Sequence, residues 1–170
     1  MNRLILMRHA KAERDSASGR DVDRPLSARG VTDAGLVARA LAQRGVRPDV
    51  ALVSSAERTR QTWDAAHDAF GDVDVVIEAG LYDASAAALR RAVEAQEDRA
   101  GCLAVIAHNP GVHQLAVELL IEGAASPAAI ERFATGFPTG AAAVFAVDAN
   151  GRASLELFLR PRDVGGGADA

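Results

Sequence analysis

Short apolar runs and longer segments of helical periodicity alternate along most of the chain. Four apolar runs have the length and composition of strands buried in a sheet, and they predict strands at residues 3–7, 50–53, 73–77 and 102–107. Two later runs, at 143–147 and 154–159, flank the turn sequence Asp148-Ala149-Asn150-Gly151. This pattern predicts a hairpin near the end of the chain.

A helical pattern follows each of the first four runs. The predicted helices extend from Ser27 towards Gly45, over 57–70, over 85–96, and from Pro110 to about residue 121. Ser27 is placed to cap the first helix, and Ser54 or Ser55 the second. Residues 123–140 show no clear pattern. Strands that alternate with helices predict an α/β fold, a three-layer sandwich whose mostly parallel sheet carries helices on both faces and an antiparallel C-terminal addition.

A length of 170 residues predicts a single domain. We place this domain at residues 1–162. The last eight positions, 163–170, are rich in glycine and are predicted to form a flexible tail.

Composition limits which binding partners and which cell compartment we expect for the protein. The formal net charge is −4, which gives no general attraction to nucleic acid or to an anionic membrane. A single cysteine, Cys102, excludes an intrachain disulfide and a cysteine-based zinc site. The apolar run at residues 4–7 is far shorter than a signal-peptide core. We therefore expect a cytoplasmic protein.

Polar clusters stand where three of the predicted strands end. Arg8 and His9 follow the first strand, residues 54–60 follow the second, and His108 follows the fourth. Because the carboxyl ends of parallel strands meet at one edge of a sheet, these clusters are expected to converge. Arginine forks fit phosphate oxygens, and an imidazole among guanidinium groups tends to stay neutral and nucleophilic. The sequence thus predicts phosphoryl transfer to a histidine, with no cofactor and no metal.

These clusters resemble the motifs of the histidine phosphatase superfamily, and its short SixA-like phosphohistidine phosphatases in particular. The matching segments are Leu6-Met7-Arg8-His9-Ala10, Arg24-Pro25-Leu26 with Gly30, Ser54-Ser55-Ala56-Glu57-Arg58-Thr59-Arg60-Gln61-Thr62, and Ala107-His108-Asn109-Pro110. The resemblance implies that His9 is the nucleophile and that Arg8 and Arg58 bind the phosphoryl group. It also implies that His108 contacts phosphoryl oxygens, while Arg24 is either a further phosphate ligand or part of a loop salt bridge.

The sequence departs from the family pattern at two points. Ala10 stands where the family usually has glycine, a small change at a position close to the phosphate. No motif identifies the carboxylic acid that many members use to protonate an alcohol leaving group, so Glu78 and Asp83 are only candidates. A phosphorylated imidazole needs less help to leave than an alkoxide. This favours phosphohistidine, carried by a signalling protein, as the substrate.

Three other functions are compatible with the same residues. The chain could be a phosphomonoesterase with broad specificity for small molecules, or a module that binds phosphate without turnover. His9 and His108 could also hold a divalent metal ion in a hydrolase. The cationic Arg8 beside His9 argues against that metal site.

Overall fold

The computed structural model describes residues 1–167. A six-stranded sheet forms its centre, with the strand order β3-β2-β4-β1-β5-β6. The strands are β1 (Arg3–Arg8), β2 (Val50–Ser54), β3 (Asp74–Glu78), β4 (Cys102–Ala107), β5 (Ala142–Val147) and β6 (Ala153–Leu159). β1 to β4 run parallel, whereas β5 and β6 are antiparallel additions beside β1. The predicted fold class is confirmed.

Helices cover both faces of this sheet. They are α1 (Ala28–Gln43), α2 (Glu57–Phe70), α3 (Ala86–Glu94), α4 (Gly111–Glu122) and α5 (Pro127–Ala134). Side chains of α1 and α2 share one apolar cluster with Ile5 and Met7 of β1. Side chains of α3, α4 and α5 share the other cluster with Leu4 and Leu6. Because neighbouring residues of a strand point to opposite faces, one short apolar run contributes to both cores.

Serine hydroxyls start three of the helices. The side chains of Ser27, Ser85 and Ser126 accept backbone N–H groups at the first turns of α1, α3 and α5. Each bond satisfies a donor that has no partner within its helix. α5 lies in the stretch that gave no clear prediction, and its Ser126-Pro127 start is a usual helix opening.

Gly30 allows α1 to pass close to the loop that follows β1. A Cβ atom at this position would stand 2.1 Å from the carbonyl oxygen of Lys11. Ser27 bonds the same carbonyl through its backbone N–H, at 2.9 Å. Glycine is therefore required here by the close approach of two backbone segments.

The end of the described chain packs on α1. Pro161–Val164 forms a short 3-10 helix, and the backbone N–H of Gly167 donates to the carboxylate of Asp33 at 2.9 Å. Asp33 is buried, so this contact ties the described end of the chain to α1. The flexible tail expected from residue 163 remains a prediction. Residues 168–170 of that predicted tail lie outside the described part. Within residues 1–167, no helix has both the length and the apolar character needed to span a bilayer.

Candidate active site

Two histidines meet at the carboxyl edge of the sheet. β1 and β4 are parallel neighbours with Arg8 opposite Ala107, so the next residues on the two strands, His9 and His108, are brought side by side. Their ring centroids are 5.4 Å apart. His9 is 8% exposed and His108 is 2% exposed. The convergence predicted from the strand ends therefore brings these two rings together.

The hydrogen bonding of His9 determines which ring nitrogen carries its proton. Nδ1 lies 2.8 Å from the carbonyl oxygen of Ala10. Because a carbonyl oxygen can only accept, Nδ1 must be the donor, and Nε2 of the neutral ring keeps its lone pair. The backbone N–H of Ala10 in turn donates to Thr62 Oγ1 at 3.0 Å, which fixes the position of that carbonyl. His9 thus has the tautomer that a nucleophile attacking through Nε2 requires.

Both histidines are neutral at physiological pH. Burial, together with the positive charges of Arg8 and Arg58, lowers the pKa of His9 to about 4. Burial, with smaller contributions from His9 and Arg58, lowers the pKa of His108 to about 3. A protonated imidazole would be poorly solvated here and would be repelled by the neighbouring guanidinium groups.

Ser54, at the end of β2, orients His108. Its Oγ lies 2.7 Å from His108 Nε2, and the same oxygen accepts the backbone N–H of Ala56 at 3.4 Å. In residues 1–167 the hydroxyl proton has no acceptor other than Nε2, so Ser54 donates to Nε2 and the ring proton of His108 lies on Nδ1. That buried Nδ1 has no hydrogen-bond partner in the described structure. Its proton would gain a hydrogen bond from a ligand oxygen that reached the ring.

This arrangement corrects the sequence expectation for Ser54 and Ser55. The N-cap of α2 is Ala56, and no side chain caps this helix. Ser54 bonds the buried histidine ring, because the end of β2 lies next to β4 in the sheet. A Ser-Ser pair before a helix gives no sign of that contact, which connects positions 54 residues apart.

Arg8 and Arg58 approach the histidine pair from different elements. Arg8 ends β1 and donates from Nη1 to the carbonyl oxygen of Phe137 at 3.0 Å, whereas its buried Nε has no partner in residues 1–167. Arg58, in the first turn of α2, is 5% exposed. The charges of both arginines contribute to the low pKa values of His9 and His108. An anion beside the rings would therefore be attracted.

A carboxylate that the sequence did not single out lies among these cations. Asp21, in a short 3-10 helix at Asp21–Asp23, accepts from Tyr82 Oη at 2.5 Å, Arg24 Nη1 at 2.9 Å and Arg58 Nη2 at 3.1 Å. The ring of Tyr82 lies edge-on to His108. Tyr82, Arg24 and Arg58 therefore all bind the same carboxylate. These bonds hold the pKa of Asp21 well below its usual range.

Arg24 makes the contacts expected of a residue in a loop salt bridge. Besides its bond to Asp21, its Nε donates to the carbonyl oxygen of Glu13 at 2.8 Å. Its charge also contributes to the lowered pKa of His9, so it stays close enough to affect an anion at that ring. Whether Arg24 contacts phosphate remains a prediction.

The two carboxylates considered as general acids lie outside this network. Glu78 ends the edge strand β3 opposite Ser54, and Asp83 is exposed next to Tyr82. In the described chain, no hydrogen bond joins either side chain to His9 or His108. Their role as general acid remains a prediction. No three His, Cys, Asp or Glu side chains among residues 1–167 form a group that could hold a metal ion.

Comparisons with known proteins show the family to which the chain belongs. A family model for the histidine phosphatase superfamily (branch 1) matches residues 4–100. The chain belongs to this superfamily. An uncharacterized protein of Mycobacterium tuberculosis is 33% identical over 162 residues, which cover 92% of this chain and 100% of that protein. An uncharacterized chloroplastic protein of Arabidopsis thaliana is 44% identical over 80 residues, but these cover only 47% of this chain and 35% of that protein.

Two solved structures place the chain in the SixA-like branch of the superfamily. A candidate phosphohistidine phosphatase SixA from Agrobacterium tumefaciens is 31% identical, with a TM-score of 0.83 and coverage of 94% of this chain and 98% of that one. The protein histidine phosphatase SixA complexed with tungstate is 25% identical, with a TM-score of 0.78 and coverage of 95% and 98%. The resemblance inferred from the motifs is confirmed. Membership of the superfamily implies phosphatase activity.

Proposed function

We propose that the chain is a metal-independent phosphatase that works through a phosphohistidine intermediate on His9. One observation carries the proposal: the bond from His9 Nδ1 to the Ala10 carbonyl leaves a lone pair on Nε2 of a neutral, buried ring. Arg8 and Arg58 stand beside that ring and can bind the oxygens of a phosphoryl group.

The reaction has two displacements at phosphorus. In the first, the lone pair of His9 Nε2 forms a bond to phosphorus while the bond from phosphorus to the leaving group breaks. Arg8, Arg58 and the Nδ1–H of His108 stabilise the charge on the phosphoryl oxygens. In the second, a water molecule attacks phosphorus, the bond to His9 Nε2 breaks, and inorganic phosphate is released.

We propose that the substrate is phosphohistidine in a protein. The similarity to SixA structures supports this choice. So does the low pKa of Asp21, since this carboxylate, which is bonded to Arg58, is ionised and cannot protonate an alkoxide. A phosphorylated imidazole that carries a ring proton leaves as neutral imidazole without such help. A phosphohistidine-bearing signalling protein in the cytoplasm is the partner we expect.

The test measures phosphate release in excess EDTA. Wild-type protein is assayed on a phosphohistidine peptide and on an aryl phosphate, next to His9→Ala and the control His67→Ala, whose side chain lies on α2 and is 53% exposed. We expect turnover that His9→Ala abolishes and His67→Ala preserves, with the peptide preferred.

Three results would replace the proposal with a different function. Equal efficiency on both substrates would indicate a broad phosphomonoesterase. Activity that EDTA removes and a divalent metal ion restores would indicate a metal hydrolase. Saturable phosphate binding without turnover would indicate a binding module.

A further inference from the structure

A basic cavity separate from the histidine pair lies near the end of β6. It has a volume of about 430 Å³, and four arginines line it: Arg29, Arg132, Arg160 and Arg162. We call it the arginine cleft. Its volume lies in the range of ligand sites, roughly 300–1,000 Å³.

The arginine cleft and the histidine pair lie at the same edge of the sheet. Met7 of β1 is opposite Ala142 of β5, which in turn is opposite Leu159 of β6. The residue after β6, Arg160, is therefore placed at the edge where His9 follows β1.

One loop, residues 135–140, forms a wall shared by both sites. On one side, the backbone N–H of Gly140 donates to the carbonyl oxygen of His9 at 2.9 Å, and the carbonyl of Phe137 accepts from Arg8. On the other side, Pro138 and Thr139 line the arginine cleft. A chain that enters the histidine site over this loop would reach the cleft.

Charge in the arginine cleft is only partly neutralised. Arg160 pairs with Asp163 at 2.9 Å, and Arg29 pairs with the buried Asp33 at 3.4 Å. The exposed Arg162 makes no ion pair with any residue in 1–167. Arg132 makes none there either.

The guanidinium of Arg132 lies 5.9 Å from the centroid of the Phe158 ring and donates to the Phe158 carbonyl oxygen. Among residues 1–167, the guanidinium groups of Arg132 and Arg162 thus have no carboxylate partner, in a protein whose net charge is −4. This local excess of positive charge favours an anionic ligand.

The remaining lining residues indicate which anion fits. No aromatic side chain in the described chain lines the cleft, so a nucleobase would find no ring to stack on. Guanidinium forks bind carboxylates through paired hydrogen bonds. We propose that the arginine cleft docks an Asp- and Glu-rich segment of the phosphorylated protein substrate, beside the phosphohistidine that enters the histidine site. This inference rests on the proposed function, because it assigns that enzyme a protein substrate with an acidic flank.

The kinetic test compares three substrates: a phosphohistidine peptide with acidic flanks, the same peptide with those residues replaced by glutamine, and free phosphohistidine. Arg162→Glu is the main variant, and Arg132→Gln is a second one that leaves the 3-10 helix of Arg162 unchanged. Arg91→Glu, exposed on α3, repeats the charge change of Arg162→Glu away from the cleft.

For Arg162→Glu we expect kcat/KM on the acidic peptide to fall about tenfold, through KM, because close charge pairs across an interface are lost. Rates on the other two substrates should stay within about twofold, and Arg91→Glu should match wild type throughout. An equal loss on all three substrates, or no loss on the acidic peptide with either cleft variant, would overturn the docking proposal.

A binding assay separates this inference from the proposed function. Fluorescence anisotropy of a labelled, unphosphorylated Asp- and Glu-rich peptide requires no turnover. We expect binding that weakens about tenfold in Arg162→Glu and weakens with added salt. If this binding is found while no phosphohistidine substrate is hydrolysed, the proposed function fails and the docking site remains. Peptide binding that does not depend on Arg162 would refute the docking site. It would also be refuted if an oligonucleotide bound more tightly than the peptide and its binding depended on Arg162 in the same way.

Discussion

Protonation of the two buried histidines should destabilise the folded protein in mild acid. Each ring has an ordinary pKa of 6.5, whereas the folded values are about 4 for His9 and about 3 for His108. Below pH 6.5 the unfolded chain therefore takes up protons on both rings, and the folded chain does not until the pH approaches 4. Stability must fall as the pH falls through this window.

The size of this loss follows from the two pKa differences. At pH 5.0 each histidine lowers the free energy of unfolding by about 2 kcal/mol relative to pH 7.5, and the pair by about 4 kcal/mol. A domain of this size has a total stability of roughly 5–15 kcal/mol. Most carboxylates of the unfolded chain are still ionised at pH 5.0, so the histidines should dominate the change.

Urea unfolding at pH 7.5 and pH 5.0 measures the difference directly. His9→Gln and His108→Gln should each reduce the fall in the free energy of unfolding between pH 7.5 and pH 5.0 by about 2 kcal/mol. Any destabilisation that the substitution causes equally at both pH values does not affect this difference. His67→Gln, which changes an exposed ring, should keep the full loss. If both buried-site variants lost as much stability on acidification as wild type, the two rings would not be neutral in the folded protein, and the argument for His9 as a neutral nucleophile would lose its basis.

Two further substitutions test packing and site geometry. Gly30→Ala places a methyl group 2.1 Å from a loop carbonyl oxygen and should lower the free energy of unfolding in urea by about 3 kcal/mol. At Gly80 no atom lies within 4 Å of the added carbon, so Gly80→Ala should change the free energy of unfolding by less than about 1 kcal/mol. Similar losses in the two variants would contradict the close approach at Gly30. Ser54→Ala removes the hydrogen bond to His108 and should slow phosphate release about tenfold, whereas Ser55→Ala should retain the wild-type rate. An unchanged rate in Ser54→Ala would show that this bond does not position the ring.

The central sheet could be read from the sequence because its signals are local. The strand at Arg3–Arg8 is a run of apolar residues whose two faces both meet helices, and such a run is recognisable without any partner. The Gly-rich C-terminal residues gave no sign of their contact with α1, for the opposite reason. Their contact with Asp33 depends on a residue far away in the chain.

The candidate site was predictable where its residues follow a strand or, like Arg58, lie in the first turn of the next helix. His9 and His108 follow β1 and β4, and the parallel arrangement of the strands brings them together. Asp21 and Tyr82 follow no such rule, because their contacts depend on how two irregular segments fold over the sheet edge. Alternating charges around Asp21 gave no signal, since short-range pairs of this kind are common on protein surfaces.

The order of strands in the sheet also affects when activity can arise during folding. β4 lies between β1 and β2, so the first two strands of the chain cannot complete their pairing until a strand made much later is inserted between them. Contacts between distant parts of a chain form slowly, because the loop must close before it is stabilised. The same insertion brings His108 to His9. Recovery of phosphatase activity after dilution from urea would therefore report the insertion of β4, and a chain released from the ribosome before residue 108 would have no complete site.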